Sequence, residues 1–336
     1  MKAALLYKNE KKLRIENVDI PEINDNEILI KVMAAGICHT ELHFIDNVLT
    51  AGKYPIIPGH EVSGIVYKKG NNVKDFNIND KVILYYYNGC GKCDFCINGY
   101  ENLCVDPRME YGFINDGGFS EYIKAGEKNL IKLDDDTDIY SIAPIACSIS
   151  TGIHAINKVR PKLNDNVLIY GVGGVGFDLI QLNKLNGCNV FSASRNDKKL
   201  DIAKTLGSDY NINTKNEDIV NKVTNLGGVD IIYDLIGSNE TINNDIKMLN
   251  NGGKLILIGY TGHDININPL YLIIKEIQII PCVGNTKYEL KEAIKLFNEG
   301  KIKIVIDKFD RIENINDDLE KIRNGDAIGR IIIKFD

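Results

Sequence analysis

An α/β protein of two domains is predicted by three features of the chain. Its 336 residues exceed what one ordinary core organises. Beyond about residue 165, apolar strand-like runs alternate with helical periodicity, which implies crossover connections and a parallel sheet. Before about residue 139, short apolar runs are punctuated by Gly, Pro, Asn and Asp, and helical patterning is sparse.

In chain order, residues 27–32, 61–67 and 81–84 read as strands, the third leading into a cysteine-dense loop. Residues 166–170 form an apolar strand. The next segment, 175–186, places Val175, Leu179, Ile180, Leu182 and Leu185 at helical spacing. A second strand at 189–193 and a second helix at 197–206 follow, then strands at 229–234 and 254–258. The Ile-rich stretch 270–283 reads as helix then strand, 287–298 as a last long helix, and 330–334 as a closing strand. No internal repeat or low-complexity linker is evident.

Composition narrows the function classes. An apolar fraction of 44% and a charged fraction of 26% suit a globular protein, and a net charge of −6 argues against a nucleic-acid-binding surface. No apolar run approaches the roughly 20 residues that cross a bilayer, so no membrane partner is expected. The start, Met1 to Tyr7, is apolar too briefly for a secretory signal before Lys8, Glu10, Lys11 and Lys12. Cytoplasm is the expected compartment. There, clustered members of the eight cysteines read as metal ligands rather than disulfides.

Gly171, Gly173 and Gly176, with Val172, Gly174 and Val175 between them, fit GxGxxG directly after a strand and opening a helix. The first glycine permits the turn, the second lets backbone approach a pyrophosphate, and the third lets helix and strand pack closely. The helix N-terminus offers free N–H groups to phosphate. A Rossmann dinucleotide-binding domain is the prediction. An NAD site usually carries an acidic residue about 20 positions further on. Here that position is Ser194, followed by Arg195, with Lys198 and Lys199 close behind. A hydroxyl and a guanidinium suit a 2′-phosphate, so NADP(H) is favoured over NAD(H). Asp197, three residues on, would reverse this preference if the register were shifted.

Cys90, Cys93, Cys96 and Cys104 form C-x2-C-x2-C-x7-C. Four thiolates close a tetrahedral shell, the pattern of a structural zinc holding an irregular loop; an iron–sulfur centre uses similar ligands. Cys38, His60 with Glu61, and Cys147 lie apart along the chain. Two thiolates and one imidazole would leave a fourth tetrahedral position open. Taken singly, Cys147 reads as a small buried apolar residue, as do Cys188 and Cys282. His154 and His263 read as ordinary helix and loop residues, and nothing assigns a role to Asp230 or Asp234.

Residues 36–43 (Gly-Ile-Cys-His-Thr-Glu-Leu-His), 58–61 (Pro-Gly-His-Glu), the four-cysteine loop, 116–122 (Asp-Gly-Gly-Phe-Ser-Glu-Tyr) and the glycine-rich turn occur in the order found in one family. Together they make the chain resemble the zinc-containing medium-chain alcohol dehydrogenases over nearly its whole length. The resemblance implies a GroES-like β-barrel catalytic domain, residues 1–147 and 284–336. It also implies a Rossmann domain, 148–283, with the active site in the cleft between them.

By the same resemblance, Cys38, His60 and Cys147 would bind a catalytic zinc, and the four-cysteine loop would hold a second. Glu61 would approach the metal during ligand exchange. Thr40 would bond the substrate oxygen, and His43 would pass its proton onward. His39 and Arg330 would contact the cofactor pyrophosphate, Thr151 would lie near the nicotinamide, and Tyr86 would line the substrate pocket. The family usually has Asp where this chain has Glu41, and the extra methylene is expected to loosen the bond to His60. The Ile-rich stretch near 270–283 resembles the family's dimerising edge, so a homodimer or homotetramer is expected. The substrate would be an alcohol, aldehyde or ketone. A hydroxyl linked to a histidine makes independent sense as a proton route near neutral pH. The alternatives are a zinc-independent enone or enoyl-thioester reductase of the same fold, and a non-catalytic zinc- and nucleotide-binding protein.

Overall fold

A computed structural model describes residues 1–106 and 109–335; Asp336, the end of the range expected for the catalytic domain, lies outside the described residues. The chain forms two compact units, Met1–Ser150 with Asn285–Asp336, and Thr151–Gly284. The crossings thus fall after residues 150 and 284 rather than 147 and 283. The reason is local: Ser150 hydrogen-bonds back to the carbonyls of Ile145 and Cys147, which keeps the first turn of the following helix with the first unit.

In the first unit, β1 (Lys2–Leu5) and β2 (Arg14–Asn17) form an antiparallel ladder. Strand β3 (Glu27–Ile37) pairs antiparallel with β4 (Glu61–Lys69), with register shifts at 29/30 and 32/34. Such irregularities bend a strand. Helix α1 (Thr40–Ile45) follows β3, and β5 (Lys81–Leu84) pairs with β4. Strands β6 (Tyr87–Asn88) and β7 (Met109–Glu110) pair at the base of the cysteine loop, which contains α2 (Asp94–Ile97). Phe95, Ile97, Tyr100, Leu103 and Val105 are exposed there, so the loop has no apolar core of its own. Strand β8 (Tyr122–Gly126) pairs with the start of β3, and β9 (Leu130–Lys132) pairs with β5.

Helix α3 (Ser148–Val159) leads into the second unit. Its sheet contains β10 (Asn166–Tyr170), β11 (Asn189–Ser194), β12 (Tyr210–Asn213), β13 (Val229–Asp234), β14 (Leu249–Leu257) and β15 (Gln278–Pro281). The order β12-β11-β10-β13-β14-β15 is parallel throughout, so the reversal of direction lies between β10 and β13. Ligands bind at such a reversal in open α/β sheets. The connections are α4 (Gly174–Leu185), α5 (Asp197–Thr205), α6 (Ile219–Asn225), α7 (Asn239–Met248) and α8 (Pro269–Lys275). The expected helix-then-strand element at 270–283 resolves into α8 and β15.

The chain re-enters the first unit through α9 (Lys287–Asn298), opened by a Thr286–Glu289 capping box. Strand β16 (Ile306–Asp310), helix α10 (Ile315–Arg323) and strand β17 (Arg330–Lys334) complete it, and β17 pairs with β16 and with the end of β3. Among the described residues, no helix is long and apolar enough to cross a membrane.

Candidate metal centres and active site

Cys38 follows the last residue of β3, and α1 begins two residues later. This places Glu41 in the first helical turn, from which its carboxylate folds back to two neighbours. Oε2 accepts the backbone N–H of Cys38 at 2.8 Å, and Oε1 lies 3.0 Å from His60 Nδ1. Both side chains are about 2% exposed. The loosening expected of the longer side chain is not seen: one carboxylate reaches both partners at hydrogen-bond distance. A carboxylate on Nδ1 fixes the ring orientation and leaves Nε2 as the ligand atom.

His60 is delivered by the Pro58–Gly59 turn, where Gly59 has φ +95°, a conformation glycine adopts without penalty. The 116–118 segment straps this turn. Gly117 N–H donates to Ile57 O, Gly118 N–H donates to Gly59 O, and a Cβ at Gly117 would sit 2.2 Å from Gly59 O. Cys147 stands where a 3-10 turn (Ala143–Ala146) ends and α3 begins. Ligand atoms of Cys38, His60, Glu61 and Cys147 all lie within 4.8 Å of one another. Two thiols and an imidazole, all buried, are the donor chemistry of a tetrahedral zinc site with one position to spare, and the buried Glu61 carboxylate stands beside them.

A hydrogen bond from Cys147 and the nearby Arg330 guanidinium hold the Cys38 thiol well below its ordinary range. Burial drives the Glu61 carboxyl up to about 8, against the pull of Arg330. Arg330 Nη2 lies 3.0 Å from Glu61 Oε1, so the arginine expected at the cofactor pyrophosphate stands against the carboxylate beside the ligands. Thr40 Oγ1 is 3.4 Å from Cys38 Sγ. His43 is one helical turn beyond Thr40, and its ring meets that of His39 edge-on at 5.2 Å. Burial, then the His39 charge, lowers its pKa.

Tyr86 is buried, with its ring 5.0 Å from His60. Phe113, which sequence reasoning missed, lies equally close to His60 and stacks on Tyr86. No spacing or motif marks it, since a loop phenylalanine has no signature.

At the second cluster, Cys90, Cys93, Cys96 and Cys104 also bring their sulfurs within 4.8 Å of one another. Cys93 and Cys104 sulfurs are 4.0 Å apart. Two thiolates on one tetrahedral zinc stand about 3.8 Å apart, so this set fits the ion without a disulfide.

In the second unit, Gly171 has φ +101° at the end of β10, and Gly173 precedes α4, whose first turn holds Gly174, Val175 and Gly176. A Cβ on Gly176 would lie 2.6 Å from Gly171 O, whereas one on Gly173 would meet nothing within 4 Å. The third glycine is therefore needed for packing, and the second faces open space. Ser194 ends β11, Arg195 is exposed, and Asn196 caps α5. Asp197 Oδ1 accepts from Asn213 Nδ2 at 2.6 Å, which turns that carboxylate toward β12. Thr151 is buried at the start of this unit.

Comparison with known proteins agrees with this architecture. Residues 24–135 match the family model of the alcohol dehydrogenase GroES-like domain, and 174–299 that of the zinc-binding dehydrogenase. An alcohol dehydrogenase of Geobacillus stearothermophilus is 33% identical over 339 residues, covering 100% of both chains. An NAD-dependent alcohol dehydrogenase of Sulfolobus acidocaldarius is 31% identical over 99% of both. The crystal structure of the alcohol dehydrogenase from Aeropyrum pernix superposes with a TM-score of 0.94 at 30% identity, covering 100% of both chains. With its paired domains and both cysteine sets accounted for, the chain belongs to the zinc-containing medium-chain dehydrogenase/reductase family.

Proposed function

We propose that this oxidoreductase is an NAD(P)-dependent zinc alcohol dehydrogenase that moves a hydride reversibly between an alcohol or carbonyl substrate and the nicotinamide. The observation that carries the reading is the convergence of Cys38, His60 and Cys147, from three distant parts of the chain, within 4.8 Å. A metal-independent reductase has no use for that buried triad.

Cys38, His60 and Cys147 would hold the catalytic zinc, and Cys90, Cys93, Cys96 and Cys104 the structural one. Zinc at the first site supplies a Lewis acid that eases loss of the substrate hydroxyl proton, and the nicotinamide supplies the hydride acceptor. The protein does the rest. Glu41 keeps the His60 ring in one orientation, and burial of the triad excludes bulk water. Thr40, beside the Cys38 sulfur, is placed to bond the substrate oxygen and take its proton. His43, whose pKa burial lowers, is the proton acceptor one turn further along α1. Glu61 stands by for ligand exchange. Tyr86 and Phe113 give the wall near His60 an aromatic character that suits alcohols, aldehydes or ketones. The glycine turn would take the pyrophosphate, with His39 and Arg330 as further contacts and Thr151 near the nicotinamide.

NADP(H) is the preferred cofactor in this reading. The absence of a carboxylate at Ser194, the neighbouring Arg195 and the engagement of Asp197 by Asn213 support it. A homodimer or homotetramer is supported by Leu270, Tyr271, Ile273 and Ile274, all exposed on α8 beside the edge strand β15. Six of the eight cysteines serve in the two ligand sets, which favours a reducing, cytoplasmic setting.

Metal analysis of the purified protein, followed by a panel of alcohols and aldehydes with each cofactor, tests the reading. Two zinc ions per chain and turnover of at least one alcohol are expected. One zinc with activity only on enones would sink it.

A further inference from the structure

Cys147 occupies a backbone joint that is neither 3-10 nor α, with φ −124° and ψ −54°. Helix ends leave carbonyls without partners inside the helix, and here burial denies them water. Three successive carbonyls at this joint are each met by a side chain. Ser150 Oγ donates to Ile145 O at 2.9 Å and, sharing the same proton, to Cys147 O at 3.2 Å. Asn285 Nδ2 donates to Ala146 O at 3.1 Å and also to Ser150 Oγ, which turns the hydroxyl proton toward the two remaining carbonyls. Ser150 and Asn285 are both fully buried. Asn285 comes from 139 residues further along the chain than Ala146.

These hydrogen bonds run from the two side chains to backbone carbonyls and to one another, so they act on the ligand through the main chain. A metal–sulfur bond tolerates only about 0.2 Å of misplacement, and rotation of the peptides around residue 147 would swing the sulfur further than that. We propose that Ser150 and Asn285 are positioning residues for the Cys147 ligand, locking the joint that aims its sulfur at the metal. The proposal rests on the metal-site reading above.

The test follows metal release from the full-length holoenzyme to a chromophoric chelator. Cobalt substitution tells the two sites apart, because a four-sulfur site and a two-sulfur, one-nitrogen site absorb differently. Ser150→Ala and Asn285→Ala should speed release from the Cys38–His60–Cys147 site by about 10–100-fold, the range seen when ligand supports are removed. Release from the four-cysteine site should not change, and Ser150→Thr, which keeps the hydroxyl, should restore slow release. Tyr85→Phe is the control. It removes the 3.2 Å bond from Tyr85 OH to the Asn285 backbone carbonyl, and should lower Tm without altering release.

Wild-type release rates in both alanine variants would overturn the proposal, as would equal acceleration at both sites or in Tyr85→Phe. If Asn285→Ala does not fold, Ser150→Ala decides alone, since alanine favours the helix. A wild-type chain that takes up no metal at this triad would instead refute the site itself, and the proposal with it.

Discussion

One carboxylate, that of Glu41, holds both the His60 ring, at 3.0 Å from Nδ1, and the Cys38 backbone N–H, at 2.8 Å. Two proposed ligands that come from different segments are thereby fixed relative to each other. Glu41→Gln keeps the length but offers an amide N–H to one of the two. The expected result is a loss of about 10–100-fold in affinity at the catalytic site, read by competition with a chelator. Unchanged affinity would show that the bond is incidental.

The two cysteine sets should respond differently to serine. Cys38→Ser should abolish turnover while the melting curve and cofactor binding stay near wild type. Cys93→Ser should destabilise first, because the loop around it exposes Phe95, Ile97 and Val105 and so draws little support from apolar burial. A cost of about 2 kcal/mol would lower Tm by roughly 4–8 °C. Loss of activity by unfolding in both variants would contradict this division of roles.

Asp245 provides a pH prediction remote from both proposed metal sites. It is fully buried on α7, and burial, then the charge of Asp234, raises its pKa well above the ordinary carboxyl value. Asp234 is itself occupied by the N–H groups of Ile236 and Gly237 and by the Thr241 hydroxyl. Tyr170 is a further titratable group that feels the Asp245 charge. A folded pKa above the unfolded one means that the protonated form stabilises the fold at low pH. That contribution fades as pH rises above the unfolded value of about 4 toward the folded one. Asp245→Asn cannot ionise, so its denaturant stability should fall less between about pH 5 and 8 than that of the wild type. Parallel curves would refute it.

Cofactor choice can be reversed at the end of β11. Ser194→Asp places a carboxylate where a 2′-phosphate would sit. KM for NADP+ should rise roughly tenfold or more while that for NAD+ falls, since like charges brought together are strongly disfavoured. If the wild type already prefers NAD+, the reading of Ser194 and Arg195 fails.

The sequence showed some of this more readily than the rest. The glycine turn is contiguous, and each of its residues is dictated by backbone geometry, so it could be read directly. The four-cysteine loop is legible too, because its spacing is local, whereas Cys38, His60 and Cys147 join into a set only through the resemblance, Cys147 alone reading as a small packing residue. The supports were not legible. Ser150, Asn285 and Phe113 are ordinary residue types, and only the folded chain brings them to Cys147 or His60. Within the fold, β12 and α7 escaped notice because Asn-rich segments carry little apolar periodicity. The early part of β14 was hidden by Gly252 and Gly253, which interrupt its apolar run. Glu41 misled in the other direction. Side-chain length alone predicts a weakened bond, whereas the carboxylate bonds His60 at 3.0 Å and the Cys38 N–H besides.

The sheet pairing of β3 has a consequence for synthesis. Its far end, next to Cys38, has β4 on one side, with Gly36 opposite Glu61, and gains its second neighbour only in β17, with Ile37 opposite Ile331. A ribosome must therefore deliver nearly three hundred further residues before the strand leading to Cys38, the first of the proposed ligands, is closed on both sides. Residues 151–284, contiguous and locally connected, can fold during that interval, while the unfinished sheet waits with an open edge. Growth that stalls between residues 284 and 330 would leave a finished nucleotide fold tethered to an incomplete metal pocket, a species exposed to aggregation and premature thiol oxidation.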